Sequence, residues 1–215
     1  MKIAKQFNNI TECVIDDLRQ SLSSNSQISI AAASFSIYAY EALKEELEKV
    51  ESVRFIFVSP TFTTDKTEKQ KREFYIPKLN RERNLFGSEF EIRLRNQLTQ
   101  RAIARECADW IRRKAKFKTN ITHGSMNSFL HLQEGEETYT YMPFNEFTTT
   151  ELGLDRGNNI CPMVVGMPGH SSTDMFLKNF AELWKDKEKF QDVTENVIES
   201  IETVYKENTL NRLKN

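Results

Sequence analysis

Phe129-Leu130-His131-Leu132-Gln133, a polar break containing Gly135, and then Tyr139-Thr140-Tyr141-Met142-Pro143-Phe144-Asn145-Glu146-Phe147-Thr148-Thr149-Thr150-Glu151-Leu152-Gly153 form the stretch from which the fold is read. Tyr139 and Tyr141 alternate with polar neighbours, and a glycine-containing acidic turn separates Ser128 to Leu132 from Thr138 to Met142. Period-two alternation on both sides of a short turn predicts a β-hairpin. His131 then lies inside an apolar strand, and Asn145 lies in the turn that follows the second strand.

Outward from the hairpin, helix and strand signals alternate. Ile10, Val14, Leu18 and Leu22 recur at helical spacing, and the serine-rich Ser21 to Ser26 closes that pattern, so the domain is expected to open on a helix. Ile28 to Ala33 reads as a strand, and Ser36 stands at an N-cap position for a helix reaching about Val50. Val53 to Val58 is a second strand, stopped by Ser59-Pro60. This rhythm predicts an α/β fold with parallel packing. Ser88 followed by Glu91 makes a capping box for a long helix through Phe90, Leu94, Leu98, Ile103, Cys107, Trp110 and Ile111. Beyond the hairpin, Asn159 to Val165 reads as a strand. Ser172 or Thr173 caps a helix bearing Phe176, Phe180, Leu183 and Trp184, and Val193, Val197, Ile198, Ile201, Val204 and Tyr205 mark a last amphipathic helix.

A chain of 215 residues with 39% hydrophobic residues and 15 phenylalanines can bury a substantial core, and with no internal repeat it is expected to form one domain over residues 1–215. It has no apolar run of membrane-spanning length, and its first residues, Met1-Lys2-Ile3-Ala4-Lys5, lack the apolar core of a secretory signal. A cytoplasmic protein without a membrane partner is expected. Cys13, Cys107 and Cys161 are widely spaced, which argues for reduced thiols, and neither a metal nor another cofactor is indicated.

Net charge is −1, but the charges are segregated. Between Thr61 and Lys118 there are 16 Lys and Arg against 8 Asp and Glu. A basic block between acidic flanks is a footprint of polyanion binding, with a solvated helix face as the plainer alternative. Its first part, about 61–87, is a long polar insertion carrying Lys69, Lys71, Arg72, Arg81 and Arg83. Its last part, Arg112, Arg113, Lys114 and Lys116, follows the long helix, where cations also favour the negative end of the helix dipole. These nine residues are the candidate nucleic-acid contacts, with DNA as the expected partner. The chain has no Gly-x-x-x-x-Gly-Lys-Ser/Thr phosphate loop and no acidic Walker B partner, so it carries no nucleotide-driven motor of that kind.

The His131-Leu132-Gln133 strand and the turn ending at Asn145 resemble the phospholipase D superfamily signature: His-x-Lys, four residues, Asp, then a Gly/Ser-rich turn ending in Asn. Over most of its length the chain is similar to the amino-terminal phospholipase-D-like domains of bacterial superfamily 2 DNA helicases. Cys107-Ala108-Asp109-Trp110-Ile111-Arg112-Arg113-Lys114, Phe147-Thr148-Thr149-Thr150-Glu151-Leu152-Gly153, Leu183-Trp184-Lys185-Asp186, Asp192-Val193-Thr194 and Val204-Tyr205-Lys206-Glu207-Asn208 carry this likeness beside the strands. The resemblance implies a phospholipase D-like mixed sheet flanked by helices on both faces. It also implies a chain that continues into a helicase, and either a lone half-site or a homodimer that brings two His131 side chains to one cleft.

The signature is degenerate. Gln133 stands where lysine would hold phosphate, Thr138 replaces the aspartate, and Met142-Pro143 replaces the Gly-Ser pair. In such a site histidine attacks the phosphodiester while cationic and amide groups stabilise the growing charge. His131 is therefore expected to be vestigial or structural ahead of phosphate contact or retained nucleophilic catalysis. Gln133 and Asn145 remain as phosphate contacts. Gly124-Ser125-Met126-Asn127 reads as a turn, and Tyr139 and Tyr141 as cross-strand packing ahead of base stacking. The expected function is a nucleic-acid-binding accessory domain of a helicase with little or no catalysis. A metal-independent nuclease using His131 and a protein-docking module are the alternatives.

Overall fold

A computed structural model describes residues 3–59, 89–122, 124–155, 163–169 and 171–212, without the side chains of 89–98, 171–172 and 204–212. Among the described residues the elements in chain order are β1 (Lys5–Phe7), α1 (Val14–Ser21), β2 (Ser26–Ala32), α2 (Ile37–Ala42), α3 (Lys44–Lys49), β3 (Ser52–Phe57), α4 (Glu89–Lys114), β4 (Ala115–Asn120), β5 (Phe129–Glu134), β6 (Glu137–Met142), β7 (Val164–Pro168), α5 (Ser171–Lys185), β8 (Phe190–Asp192) and α6 (Thr194–Arg212). The eight strands make one sheet in the order β1-β7-β6-β5-β2-β3-β4-β8. β2, β3 and β4 run parallel, and every other neighbouring pair is antiparallel. The architecture is thus α/β with a mixed sheet.

Residue alternation sorts the strands into two cores. Ile28, Ile30, Val53, Phe55, Phe117, Leu130, Leu132, Tyr139 and Tyr141 point to the face covered by α1, α2, α3, α4 and α6. Ala31, Ile56, Phe129 and Phe190 point to the opposite face, where α5 covers them with Phe176, Phe180 and Leu183. Phe35, just past β2, sits inside the larger core. It lies parallel to Phe147 at 5.4 Å and to Trp110 at 6.5 Å, and edge-on to Phe55 and Phe117 at 5.8 and 5.2 Å. Trp110 satisfies its indole N–H by donating to the Leu47 carbonyl at 3.0 Å, as a buried indole requires.

The turn after the hairpin is a strap across the end of β2. Asn145 accepts from the Ala33 N–H at 2.8 Å, and Phe147 exchanges backbone bonds with Ser34 and Ser36, both at 2.9 Å. Further on, the Leu152 carbonyl accepts from Ile15 N–H, and the Asn9 side chain donates to the Glu151 carbonyl while capping Val14 N–H. Gly153 closes this knot at φ 84°, and a Cβ there would stand 2.8 Å from Asn9 Oδ1. Gly153→Ala is expected to cost about 1–2 kcal/mol from backbone strain and displacement of Asn9. Urea unfolding of the variant checks this, and an unchanged midpoint would mean that the strap is not docked as described.

Several expected elements differ. A strand, β1, precedes the first helix. Ile10 is 51% exposed, because Asn8 Oδ1 accepts from the N–H groups of Ile10, Thr11 and Glu12 and holds them in a turn. Ser36 does cap α2 by accepting from Tyr38 N–H, but the helix expected to reach Val50 breaks at Leu43 into α2 and α3. Lys116 belongs to a strand, since α4 passes into β4 with no intervening residue. The strand expected from Asn159 begins, within the described residues, at Val164. The basic insertion with Lys69, Lys71, Arg72, Arg81 and Arg83, together with Ser88, Cys161, His123 and His170, lies outside the described residues.

Candidate functional site

His131 sits on β5 with Ser29 of β2 on one side and Thr140 of β6 on the other. Continuing across the sheet, Ser29 pairs with Arg54 of β3, and Arg54 with Lys116 of β4. Cross-strand neighbours share a face, so these five side chains make one polar row on the α5 side. Sequence reasoning found His131 but missed Arg54, Ser29 and Thr140, whose link to it appears only through strand order.

The row is internally bonded. Arg54 Nη2 donates to Ser29 Oγ at 3.0 Å, and its guanidinium lies 5.3 Å from the centre of the Phe180 ring, a cation–π contact. His131 Nδ1 is 2.8 Å from Thr140 Oγ1, while Nε2 is buried with no partner among the described residues. The imidazole is fully buried. Burial lowers its pKa to about 4, with Asp174 opposing that shift and Arg54 adding to it. Burial also lowers the pKa of Arg54. Neutrality would leave this imidazole able to attack, but its enclosure makes it a poor nucleophile for an external phosphodiester, because neither solvent nor substrate reaches it without movement of α5.

Gln133 and Asn145 are not brought together. Gln133 pairs with Gln27 at the start of β2, whereas Asn145 is bonded to Ala33 at its end. That separation along β2 is about 20 Å. Gln133 lines a shallow cavity of about 490 Å³ with Asn25, Gln27, Glu51, Glu134 and Gly135. Its two carboxylates disfavour a phosphate there. Thr138, in the place of the missing aspartate, faces Gln133 across the hairpin. The exposed Asn145 donates its backbone N–H to Glu151 Oε1 at 2.9 Å, and burial raises the pKa of that carboxyl group.

The cations after α4 are also placed. Arg112 pairs with Asp109 at 2.9 Å and with Glu202 of α6. Arg113 makes a two-pronged contact with Glu48, both bonds 2.9 Å. Lys114 donates to the Val50 carbonyl at 2.9 Å. These three side chains tie α4 to neighbouring elements, a role that the charge count did not anticipate. Lys116 is exposed and has no ion pair among the described residues. No metal-binding group of His, Cys, Asp and Glu occurs among the described residues, and no described helix is long and apolar enough to cross a membrane.

Residues 124–127, expected as a turn, have no turn and lead irregularly into β5; on the α5 side they border a second cavity, of about 290 Å³, at the end of β4 and the start of β5. No family model matches the sequence, and comparison with curated proteins finds no match either.

Proposed function

We propose that this chain is a phospholipase-D-like, nucleic-acid-binding accessory domain of a bacterial DNA helicase, and that it holds DNA without hydrolysing it. The observation that favours binding over turnover is the placement of His131: fully buried, bonded to Thr140, and followed by Gln133 where a cation would be needed. Affinity comes from the basic block. Lys69, Lys71, Arg72, Arg81 and Arg83 supply phosphate contacts and Lys116 adds another. Arg112, Arg113 and Lys114 contribute less, because carboxylates or a carbonyl already hold them. The motor is supplied by a helicase region of the same protein, and a homodimer is compatible with this role.

Fluorescence anisotropy of labelled single- and double-stranded DNA at two salt concentrations tests the proposal. Binding should weaken steeply with salt, each neutralised phosphate contributing roughly 0.9 to the log–log slope for duplex DNA. Replacing Lys69, Lys71, Arg72, Arg81 and Arg83 with alanine should lower that slope by roughly 4.5. Replacing Arg112 and Arg113 should leave it nearly unchanged and reduce stability instead. Absence of binding at low salt, or hydrolysis of a chromogenic phosphodiester that persists in EDTA and vanishes in His131→Ala, would refute the proposal.

A further inference from the structure

Beside the polar row, two residues along β5 from His131, Phe129 begins the floor of the 290 Å³ cavity. Phe180 and Phe190, both buried, complete this floor, and the half-buried Phe176 of α5 stands over it. Phe129 meets Phe176 at 5.6 Å and Phe180 at 6.0 Å, so the rings form a continuous aromatic surface. The rim is polar. Ser125, Asn127 and Asn179 line it, all exposed and with no side-chain hydrogen bond among the described residues.

The loop forming the mouth is held open by its own bonds. Asn120 is 3% exposed, and its amide donates to the Val58 carbonyl at 3.2 Å and the Gly124 carbonyl at 2.8 Å. Its Oδ1 accepts from both the N–H and the hydroxyl of Thr122 at 2.8 Å. A buried amide with these four bonds fixes the loop from within, so the cavity exists before anything enters it. Such pre-organisation lowers the cost of binding.

The lining selects a chemistry. Among its described lining residues Lys189 alone is charged, and it is paired with Asp186 at 3.0 Å, which weakens its claim on an anion. A wholly apolar ligand would make no use of the amides of Asn127 and Asn179, which have no side-chain partner among the described residues and each offer both donors and an acceptor. An uncharged planar ring with hydrogen-bonding edges matches floor and rim together. The volume lies at the small end of ligand sites, enough for one such ring system.

We infer that this cavity receives a single nucleobase of single-stranded DNA, stacked on Phe176 and read at its edge by Asn127 and Asn179. This deepens the proposed function and rests on it for the source of the base. A duplex keeps its bases stacked and paired, so the site favours the single strand.

A pair of labelled oligonucleotides of equal length, oligothymidylate and its abasic counterpart, separates base from phosphate binding because their charges are equal. The oligothymidylate should bind roughly tenfold more tightly. Phe176→Ala and, without disturbing the core, Asn179→Ala should remove this preference while leaving the abasic affinity and salt slope unchanged. Titration with deoxyadenosine, which has no phosphate, should shift amide NMR signals of residues 124–129 and of α5.

Equal binding of the two oligonucleotides, unaffected by either variant, would overturn the base site and leave DNA binding intact. Failure of both to bind, with deoxyadenosine shifts retained, would overturn DNA binding and support a base site serving another source. Failure of both with no shifts would overturn both.

Discussion

Phe35→Ala is expected to lower the free energy of unfolding by about 3–5 kcal/mol, the range for emptying a buried aromatic site. Phe35 is 5% exposed, and its ring is inserted between Phe147 of the strap and Trp110 of α4, with Phe55 and Phe117 at its edges. Truncation removes contacts to four aromatic rings from three separate parts of the chain. Three of those rings are anchored in strands or a long helix and the fourth in the strap, and they cannot all collapse into the space. The urea midpoint should fall sharply with little change in the denaturant slope. A loss below about 1 kcal/mol would mean that the strap does not pack on the core.

Acidification should give the second large effect. Burial lowers the pKa of His131 to about 4 in the fold, against its ordinary 6.5. Between those values the unfolded chain binds the proton more readily, so stability rises with pH across that window. The contribution is complete above the unfolded value and is lost as pH falls towards 4. From about pH 7.5 to about pH 5 the loss from this group is about 2 kcal/mol. Asp174 and Arg54 are the charged groups acting on the ring. In His131→Gln, a group that still offers Thr140 a hydrogen bond but does not titrate, this part of the pH dependence should disappear. Equal pH slopes in wild type and variant would show that the imidazole is not enclosed.

The sequence carried the larger periodic elements because their signals are local. The alternation around Gly135 set out the β5–β6 hairpin, Ser36 announced its helix, and the stripe from Phe90 to Ile111 announced α4. β1 and β8 are three residues each, too short for a period to register. The break at Leu43 has no glycine or proline to signal it. In β4, the alternation of Ala115, Phe117 and Thr119 was hidden by the cations between them, which extend the basic end of α4. The site was legible only in part. His131 was correctly set in an apolar strand, yet its neighbours Arg54 and Thr140 come from strand order. The roughly 20 Å between the places of Gln133 and Asn145 follows from the strap running to the far end of β2. Arg112 and Arg113 counted as free charge, whereas Glu202 and Glu48 lie far from them in sequence and close in space.

The seam at which Lys114 ends α4 and Ala115 begins β4 limits how this chain can change in length. One residue added or removed there would reverse the two faces of β4, turning Lys116 and Lys118 towards the phenylalanines and Phe117 away from them. No spacer is present to absorb the shift. Insertions and deletions among descendants of this sequence should therefore avoid the seam, leaving residue count between Trp110 and Phe117 constant even where side chains diverge.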